Sequence, residues 1–423
     1  MFCERRGVLY PAERAVYDSL CVHTFVLTGE GKSTAKCERF TATTYGGMVY
    51  LYLLRDSTRT MPQSGDTVVA LTSIRHPEHL GKFDYRKYLL RQGIIGTAFA
   101  ARYDVLPAAE HSISLQKYLY QRLSSAGLDS DELATVGALT LGYKEDLDKE
   151  LRNRFQAAGA AHVLAVSGLH TGILYALLMW LLTFGGRIRP KYENWGGRMI
   201  VSTIIIAVMW IYAWLTGMTP SVVRAVVMVT IFEVGRMFYR QAISLNTIAA
   251  AALLILLVRP LDLWSVSFQL SFAATASIVI IANEFEKRIH RLSMHGLRGR
   301  IGAWLAATVI ISIAAQLGTL PLTMYYFGQI STYFLLTNII VLPIATLLVP
   351  CGFISLALGG SMVGIWFSKI TCSLSWLMNH SVGWIESLPR STVHVSVSLG
   401  MICIYYVLFV LLYAVLCDFH LRN

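Results

Sequence analysis

The feature that most constrains this chain is a series of apolar runs, each roughly 18–25 residues long, that recur from residue 161 to the C-terminus. A helix of that length crosses about 30 Å of hydrocarbon. Inside hydrocarbon only helices and closed barrels satisfy every backbone polar group. The runs fall at about 163–184, 199–217, 220–238, 245–258, 264–283, 301–320, 333–358, 362–388 and 395–417. The run at 245–258 is short, and 362–388 is amphipathic enough to lie in the interface, so roughly eight spans are expected.

The first part of the chain is different. Residues 1–160 hold 20 Lys/Arg and 18 Asp/Glu, whereas 161–423 hold 16 Lys/Arg against 7 Asp/Glu. No signal-peptide pattern leads the chain, and the first apolar helix begins near residue 162. Short alternating stretches, VHTFVLTG, CERFTATTYG, GMVYLYLLRD and GDTVVALTSI, are broken by Gly, Asp and Ser and read as β-strands. Four or five such strands suit a small OB-like β-barrel. GEGKST (29–34) imitates a phosphate loop, but Val26 stands where the P-loop needs its first glycine, so it reads as a hairpin turn. From residue 80 to 160 the pattern turns helical and amphipathic, as in SLQKYLYQRLSSAG and KEDLDKELRNRFQAAG. These helices are expected against the membrane surface or the membrane domain. The fold class that follows is a polytopic α-helical membrane domain preceded by a small OB-like soluble domain. Its expected divisions are 1–105 (OB-like domain and linker), 106–161 (amphipathic helices) and 162–420 (multi-pass domain).

The net charge of +11 invites a nucleic-acid reading. Eleven of the sixteen cations after residue 160, however, fall in three loops, at 185–198, 236–240 and 287–300. The positive-inside rule explains that clustering by placing these loops in the cytoplasm. Segment 163–184 then runs from outside to inside, which puts the N-terminal domain outside and implies an anchoring helix upstream of it. Seven cysteines are scattered, without zinc spacing, so no metal or other cofactor is expected. A Cys21–Cys37 disulfide is open if that domain is extracytoplasmic.

Polar residues inside the apolar runs are the candidate functional groups. In AAHVLAVSGLHTGILYALL, Gly168, Gly172 and Ala176 recur every fourth residue and leave a helix face without bulk for a neighbouring helix. Ser167 and His170 border that face, and His162 lies about 80° from His170 round an ideal helix. These three groups fit a polar path or plain interhelical packing; a Ser/His nucleophile pair is also allowed by the spacing. In TGMTPSVVRAVVMVT, Thr219 caps a helix, Pro220 opens it, and Arg224 sits a turn inside, against the helix dipole. Asn246, Gln269, Ser271, Gln316 and Asn338 complete the pore-lining candidates. Pro321 and Pro343 suggest broken helices, and Tyr325, Tyr326, Phe327, Tyr333 and Phe334 an aromatic interface belt or a stacking platform.

Together the segments ALTLGYKEDLDKELRNRFQAAGAAHVLAVSGLHTG (138–172), GMTPSVVRAVVM (217–228), LNTIAAAALLILLVRPLDLWSVSFQLSF (245–272) and QLGTLPLTMYYFGQISTYFLLTNIIVLP (316–343) resemble the competence domain of the ComEC family. The strands before residue 81 are similar to that family's OB domain. The resemblance implies an inner-membrane channel for single-stranded DNA in natural transformation, with no enzymatic step in this chain. A separate ATPase and DNA-receptor proteins are the implied partners, besides membrane lipid. The family's leading helices and its C-terminal metallo-β-lactamase-like domain, marked by HxHxDH, do not occur in these 423 residues. That leads to the expectation of a split or truncated gene and of a separate metallo-β-lactamase-like nuclease. Arg75, Arg86, Lys87 and Arg91, with Phe83, Tyr85 and Tyr88, are the candidate DNA contacts at the edge of the OB-like domain. An intramembrane Ser/His hydrolase and a transporter of a small anionic solute are the alternatives.

Overall fold

The computed structural model describes residues 20–28, 31–33, 37–55, 62–75, 86, 89–90, 93–108, 115–124, 130–164, 166–183, 194–238, 244–293, 296–395 and 397–422. The chain divides into two compact units, Met1–Ser114 and Leu115–Asn423.

The first unit is a mixed sheet. Its strands are β1 (Cys21–Leu27), β2 (Lys32–Ser33), β3 (Cys37–Thr44), β4 (Gly47–Leu54), β5 (Thr67–Thr72), β6 (Ile74–Arg75), β7 (Ile94–Ala100) and β8 (Tyr103–Leu106). They run in the order β6-β7-β4-β3-β1-β5-β8, with β2 paired to β3 off this path. All pairs are antiparallel except β4–β7. Alternation drives one face inward: Phe25, Phe40, Leu51, Leu53, Val68 and Ala98 make its core. The expected barrel needs correction, because among the described residues the sheet does not close on itself. Where β5 and β7 approach, the link is a side chain: Thr72 Oγ1 donates to Phe99 O at 2.7 Å. Strands β7 and β8 also lie in a stretch whose sequence reads as helical. The Cys21–Cys37 disulfide is not formed. The β1–β3 register pairs Val26 with Thr43, which leaves the two cysteines at opposite ends of that strand pair. Lys32 and Ser33 of the false phosphate loop are in β2 and pair with Arg39 and Glu38, while Gly29, Glu30 and Thr34 lie outside the described residues.

The second unit is helical. It runs α1 (Leu115–Ser124), α2 (Ser130–Thr140), α3 (Lys149–Ala157), α4 (Ala161–Leu164), α5 (Gly168–Leu182), α6 (Trp195–Leu215), α7 (Pro220–Met237), α8 (Ser244–Val258), a 3-10 turn at Pro260–Trp264, α9 (Val266–Ser293), α10 (Gly296–Phe327), α11 (Phe334–Ala357), α12 (Met362–Glu386) and α13 (Leu399–Arg422). A short ribbon, β9 (Gln329–Ser331) with β10 (Thr392–His394), joins the ends of α10 and α12. Among the described residues three stretches are long and apolar enough to span a bilayer: Trp195–Leu215, Arg298–Phe327 and Phe334–Ala357. Shorter apolar helices occupy Gly168–Leu182, Leu245–Val258, Val266–Ile281 and Leu399–Phe409. Together they make a multi-pass membrane protein.

The segment before the spans is built into the bundle. Helix α2 is buried from Glu132 to Thr140, and its core is shared with Phe155, Val341, Leu348, Met378 and Val382. Burial, with Asp146 adding to it, pushes the Tyr120 phenol well above its ordinary value. Helix α12 has the reverse of a water-facing pattern. Its buried stripe carries Ser368, Thr371 and Ser375, while Trp366, Leu377 and Trp384 point outward. Ser375 Oγ donates to Glu132 O at 3.1 Å and Ser355 meets Ser368 at 2.6 Å. A polar inside and an apolar outside suit a helix whose solvent is lipid.

Broken helices do occur, but not at the expected prolines. Helices α10 and α11 run on through Pro321, Pro343 and Pro350. Pro321 leaves the carbonyl of Leu317 without its helical donor. That oxygen accepts instead from Tyr405 Oη of α13 at 2.9 Å, and Gly318 O accepts from Tyr406 Oη at 2.7 Å. The described interruptions are at 166–167, before α5, and at 259–265, before α9.

Candidate functional site

The interruption at 166–167 decides what AVSGLH does. Ser167 has extended backbone and is the N-cap of α5, accepting from Leu169 N at 3.3 Å. His170 stands three residues on, where a capping box usually has Glu or Gln. Its Nδ1 accepts from Ser167 N at 3.1 Å and lies 3.2 Å from Ser167 Oγ. With Nδ1 accepting, the ring proton sits on Nε2. His170 is 0 % exposed, and Nε2 finds no partner among the described residues. His162 belongs to the separate turn α4; it is exposed, and its Nδ1 is 3.1 Å from Gly159 O. The expected angle between His162 and His170 on one helix therefore does not apply. Gly168 has Ala225 of α7 as its neighbour, at 4.0 Å from an added Cβ, whereas a Cβ at Gly172 meets nothing within 4 Å. Among the described residues there is thus no close helix contact at Gly172.

Helix α7 begins beside α5. Ser221 Oγ donates to Val166 O at 2.7 Å and ties the two helix starts together. Pro220 takes the first turn as expected, but Thr219 makes no side-chain cap, and its buried hydroxyl has no partner among the described residues. Arg224 is 3 % exposed, so it does not snorkel to a surface. Its Nη2 donates to Ser267 Oγ of α9 at 3.0 Å, Asp262 lies within electrostatic range, and Nε has no acceptor among the described residues. The N-termini of two helices, a buried cation and a buried His N–H thus share one end of the bundle. Every one of these groups favours negative charge.

The remaining candidates are dispersed. Gln269 bridges inward, donating to Leu263 O at 3.0 Å and accepting from Tyr326 Oη at 2.8 Å. Asn338 of α11 donates to Ser312 Oγ of α10 at 3.1 Å, with Oδ1 buried and unpartnered among the described residues. Ser271 and Gln316 are half-buried, and Asn246 is exposed. Of the aromatic cluster, Tyr333 Oη donates to Pro389 O at 3.0 Å, so it secures the β9–β10 end. Of the candidate DNA contacts at the sheet edge, Arg75 ends β6, whereas Phe83, Tyr85, Lys87, Tyr88 and Arg91 lie outside the described residues.

Two features escaped the sequence reading. Glu233 in α7 is 0 % exposed. Tyr175 Oη of α5 donates to its Oε1 at 2.7 Å, and Arg236 Nη2 lies 2.8 Å from Oε2. Arg236 also reaches Ser202 Oγ of α6 at 3.4 Å, so one ion pair clamps α5, α6 and α7. The signal was a lone acid in VTIFEVGR, masked by the loop arginines counted as topology determinants. The second feature is Gly318, where α9 and α10 touch: an added Cβ would fall 2.6 Å from Ala273 O and 2.6 Å from Ser277 Cβ. Ser277 Oγ donates to Ala314 O at 2.7 Å across the same contact.

A family model described as "Competence protein" matches residues 139–419, more than half of the chain. The chain belongs to the competence protein family. It is 29 % identical over 323 residues to ComE operon protein 3 of Bacillus subtilis, covering 72 % of this chain and 38 % of that one. It is 26 % identical over 306 residues to Recombination protein 2 of Haemophilus influenzae, covering 70 % and 37 %. It is 25 % identical over 320 residues to the protein YcaI of Escherichia coli, covering 72 % and 40 %. The chain thus spans well under half the length of these relatives. No solved structure matches it. The match begins within α2 and takes in the α5 cap, Arg224 and the α9–α10 contact, so the site described above lies inside the competence domain of this ComEC-like chain.

Proposed function

We propose that this competence protein forms the membrane passage that admits single-stranded DNA to the cytoplasm. The observation that carries this reading is Arg224. Its guanidinium is buried inside the helical unit, with one N–H lacking any acceptor among the described residues. Burying a cation without full pairing is costly, so such groups mark ion and substrate pathways in membrane proteins. The joined starts of α5 and α7 add two positive dipole ends beside it. All of this complements a polyanion.

In this reading Ser167 and His170 build the start of α5 and do no covalent chemistry. A base activating Ser167 would need its accepting nitrogen for the hydroxyl proton and an orienting partner on the other nitrogen. Here Nδ1 already serves the Ser167 N–H, and Nε2 has no partner among the described residues. The OB-like unit lies outside the cytoplasm and guides the strand. An ATPase and DNA-receptor proteins act with the passage.

The test is Arg224→Lys and Arg224→Gln, with transformation frequency and membrane abundance measured together. Lysine keeps the charge but loses the planar fork of donors. The expected result is impaired uptake for lysine and a larger loss for glutamine, at unchanged abundance. Normal transformation with Arg224→Lys would sink the assignment. Reporters fused at residues 190 and 292 are expected to read cytoplasmic, and one at residue 60 external; a cytoplasmic signal at residue 60 would overturn the orientation.

A further inference from the structure

We propose that the outer face of the OB-like sheet is a base-stacking site for single-stranded nucleic acid, built from Arg39, Tyr50, Tyr52, Arg75 and Phe99. The inference takes its ligand class from the DNA-passage reading above. The site itself follows from strand register. Alternation puts Phe40, Leu51, Leu53 and Ala98 in the core, so Arg39, Tyr50, Tyr52, Thr97 and Phe99 share the opposite face. Register then sets them side by side. Arg39 is opposite Tyr52, and Tyr52 is opposite Phe99, which makes one row across β3, β4 and β7. The neighbouring row runs Thr41, Tyr50, Thr97, Arg75 across β3, β4, β7 and β6. Three aromatic rings therefore lie between two arginines.

The platform is presented, not buried. Phe99 is 54 % exposed, although it is a large apolar side chain. A groove of about 370 Å³ runs along the gap where the sheet fails to close, with Tyr52, Leu71, Arg75, Thr97 and Phe99 on its walls. The backbone beneath it is fixed. Thr72 holds the Phe99 carbonyl, and Arg75 Nε reaches Ser73 Oγ at 3.4 Å. The Arg39 guanidinium sits over the Tyr50 ring, 4.5 Å from its centroid, so a cation and a ring are already paired on this face.

The chemistry selects the ligand. Ring faces in a row stack unpaired bases, which a duplex keeps hidden, and the flanking guanidiniums meet the phosphates. An acyl chain would prefer a continuous apolar surface. Here hydroxyls of Thr41, Thr97 and Ser73 and two cations interrupt it. Stacking is tolerant of sequence, as an uptake system for arbitrary DNA requires.

The experiment uses the full chain in detergent with fluorescent dT12, and with an oligonucleotide carrying 5-iodouracil for photocrosslinking. Crosslinks are expected on Tyr50, Tyr52 or Phe99. Phe99→Ala and Tyr52→Ala are each expected to weaken binding at least about fivefold, and the affinity should fall with salt. Phe99→Tyr, which keeps a ring, should bind like the parent and so separates stacking from misfolding. An rU12 arm tells whether the site takes DNA alone or either sugar. Equal affinity for duplex and single strand, unchanged by Phe99→Ala, would overturn the proposal. So would labelling of β7 by a photoactivatable phosphatidylglycerol in reconstituted vesicles in place of the iodouracil crosslinks. The two readings fail separately. If Phe99→Ala binds normally while Arg224→Gln blocks uptake, the platform falls and the passage stands. If Phe99→Ala loses binding while Arg224→Lys supports normal uptake, the passage assignment falls and the platform stands.

Discussion

Gly318 and Gly172 give a paired test of the packing. Adding one methyl group at Gly318 puts a Cβ 2.6 Å from the Ala273 carbonyl oxygen, where ordinary contact begins at 3.4 Å. The obstacle is backbone, so a rotamer change cannot relieve it. Helices α9 and α10 must separate by some 0.8 Å, the difference between those two distances. Overpacking of this kind costs about 1–3 kcal/mol. Separation also stretches the 2.7 Å bond from Ser277 to Ala314 O, and an interhelical hydrogen bond in a membrane averages about 0.6 kcal/mol. Alanine is a better helix former than glycine by about 0.8–1 kcal/mol, which offsets part of the loss. Gly172→Ala gains the same propensity and meets nothing within 4 Å. Subtracting the two variants cancels propensity and leaves about 1.5–3.5 kcal/mol for the α9–α10 contact. Thermal unfolding in one detergent, followed by size-exclusion chromatography with fluorescence detection, measures the difference. If Gly318→Ala is no less stable than Gly172→Ala, the two helices do not approach as described.

Four further outcomes are expected. Ser167→Ala should cost about 0.5–2 kcal/mol of stability, as a lost cap does, and retain most DNA uptake; near-total loss with a stable protein would favour covalent chemistry instead. Glu233→Ala should destabilise the chain by removing the acceptor that Tyr175 and Arg236 share, and Glu233→Ala/Arg236→Met should cost less than the single change, as judged by thermal unfolding. His23 is held below its ordinary pKa by burial, so the unfolded chain binds the extra proton first. Stability of the OB-like unit should therefore be full above about pH 6.5 and fall as the solution is acidified below it, and His23→Leu should flatten that slope in a pH series of melting curves. Tyr405→Phe should destabilise the chain by about 0.6–1.7 kcal/mol through the unpaired Leu317 carbonyl; an unchanged melting temperature would mean that another donor serves it.

The strands that the sequence disclosed are those with bulky residues facing inward. In β4 the buried positions are Val49, Leu51 and Leu53, and the alternation is plain. Strand β7 was illegible for the opposite reason. Its buried positions are Ile94, Gly96, Ala98 and Ala100, while Ile95, Thr97 and Phe99 face out. The larger groups lie on the outer side, so a hydrophobic alternation reads with the wrong phase. The same inversion that hid the strand produces the exposed aromatic row. At the α4–α5 break the difficulty was a histidine in place of the usual Glu or Gln of a capping box. Apolar residues flank Ser167 on both sides, and a continuous helix is the default for such a run.

The prolines carry the most general point. Pro321 lies in a run apolar enough to span the bilayer, and intrinsic cost predicts an interruption there. What the local sequence cannot contain is the donor that removes part of that cost. Tyr405 is eighty-eight residues from Leu317, in another helix, yet its hydroxyl takes the place of the missing backbone N–H. In lipid no water competes for that carbonyl, so a single phenol suffices to keep the helix whole. Conversely, 166–167 contains no proline or strong breaker, and a new helix starts there because Ser167 and His170 satisfy its freed backbone groups. In a membrane the position of a helix break is set less by which residue disrupts the ladder than by which groups stand ready to accept or donate once it is disrupted. Sequence shows the first directly, and the second only where both partners are near neighbours in the chain. Arg224 sits between these cases: its burial was not legible, because the partner that draws it inward, Ser267, arrives from α9.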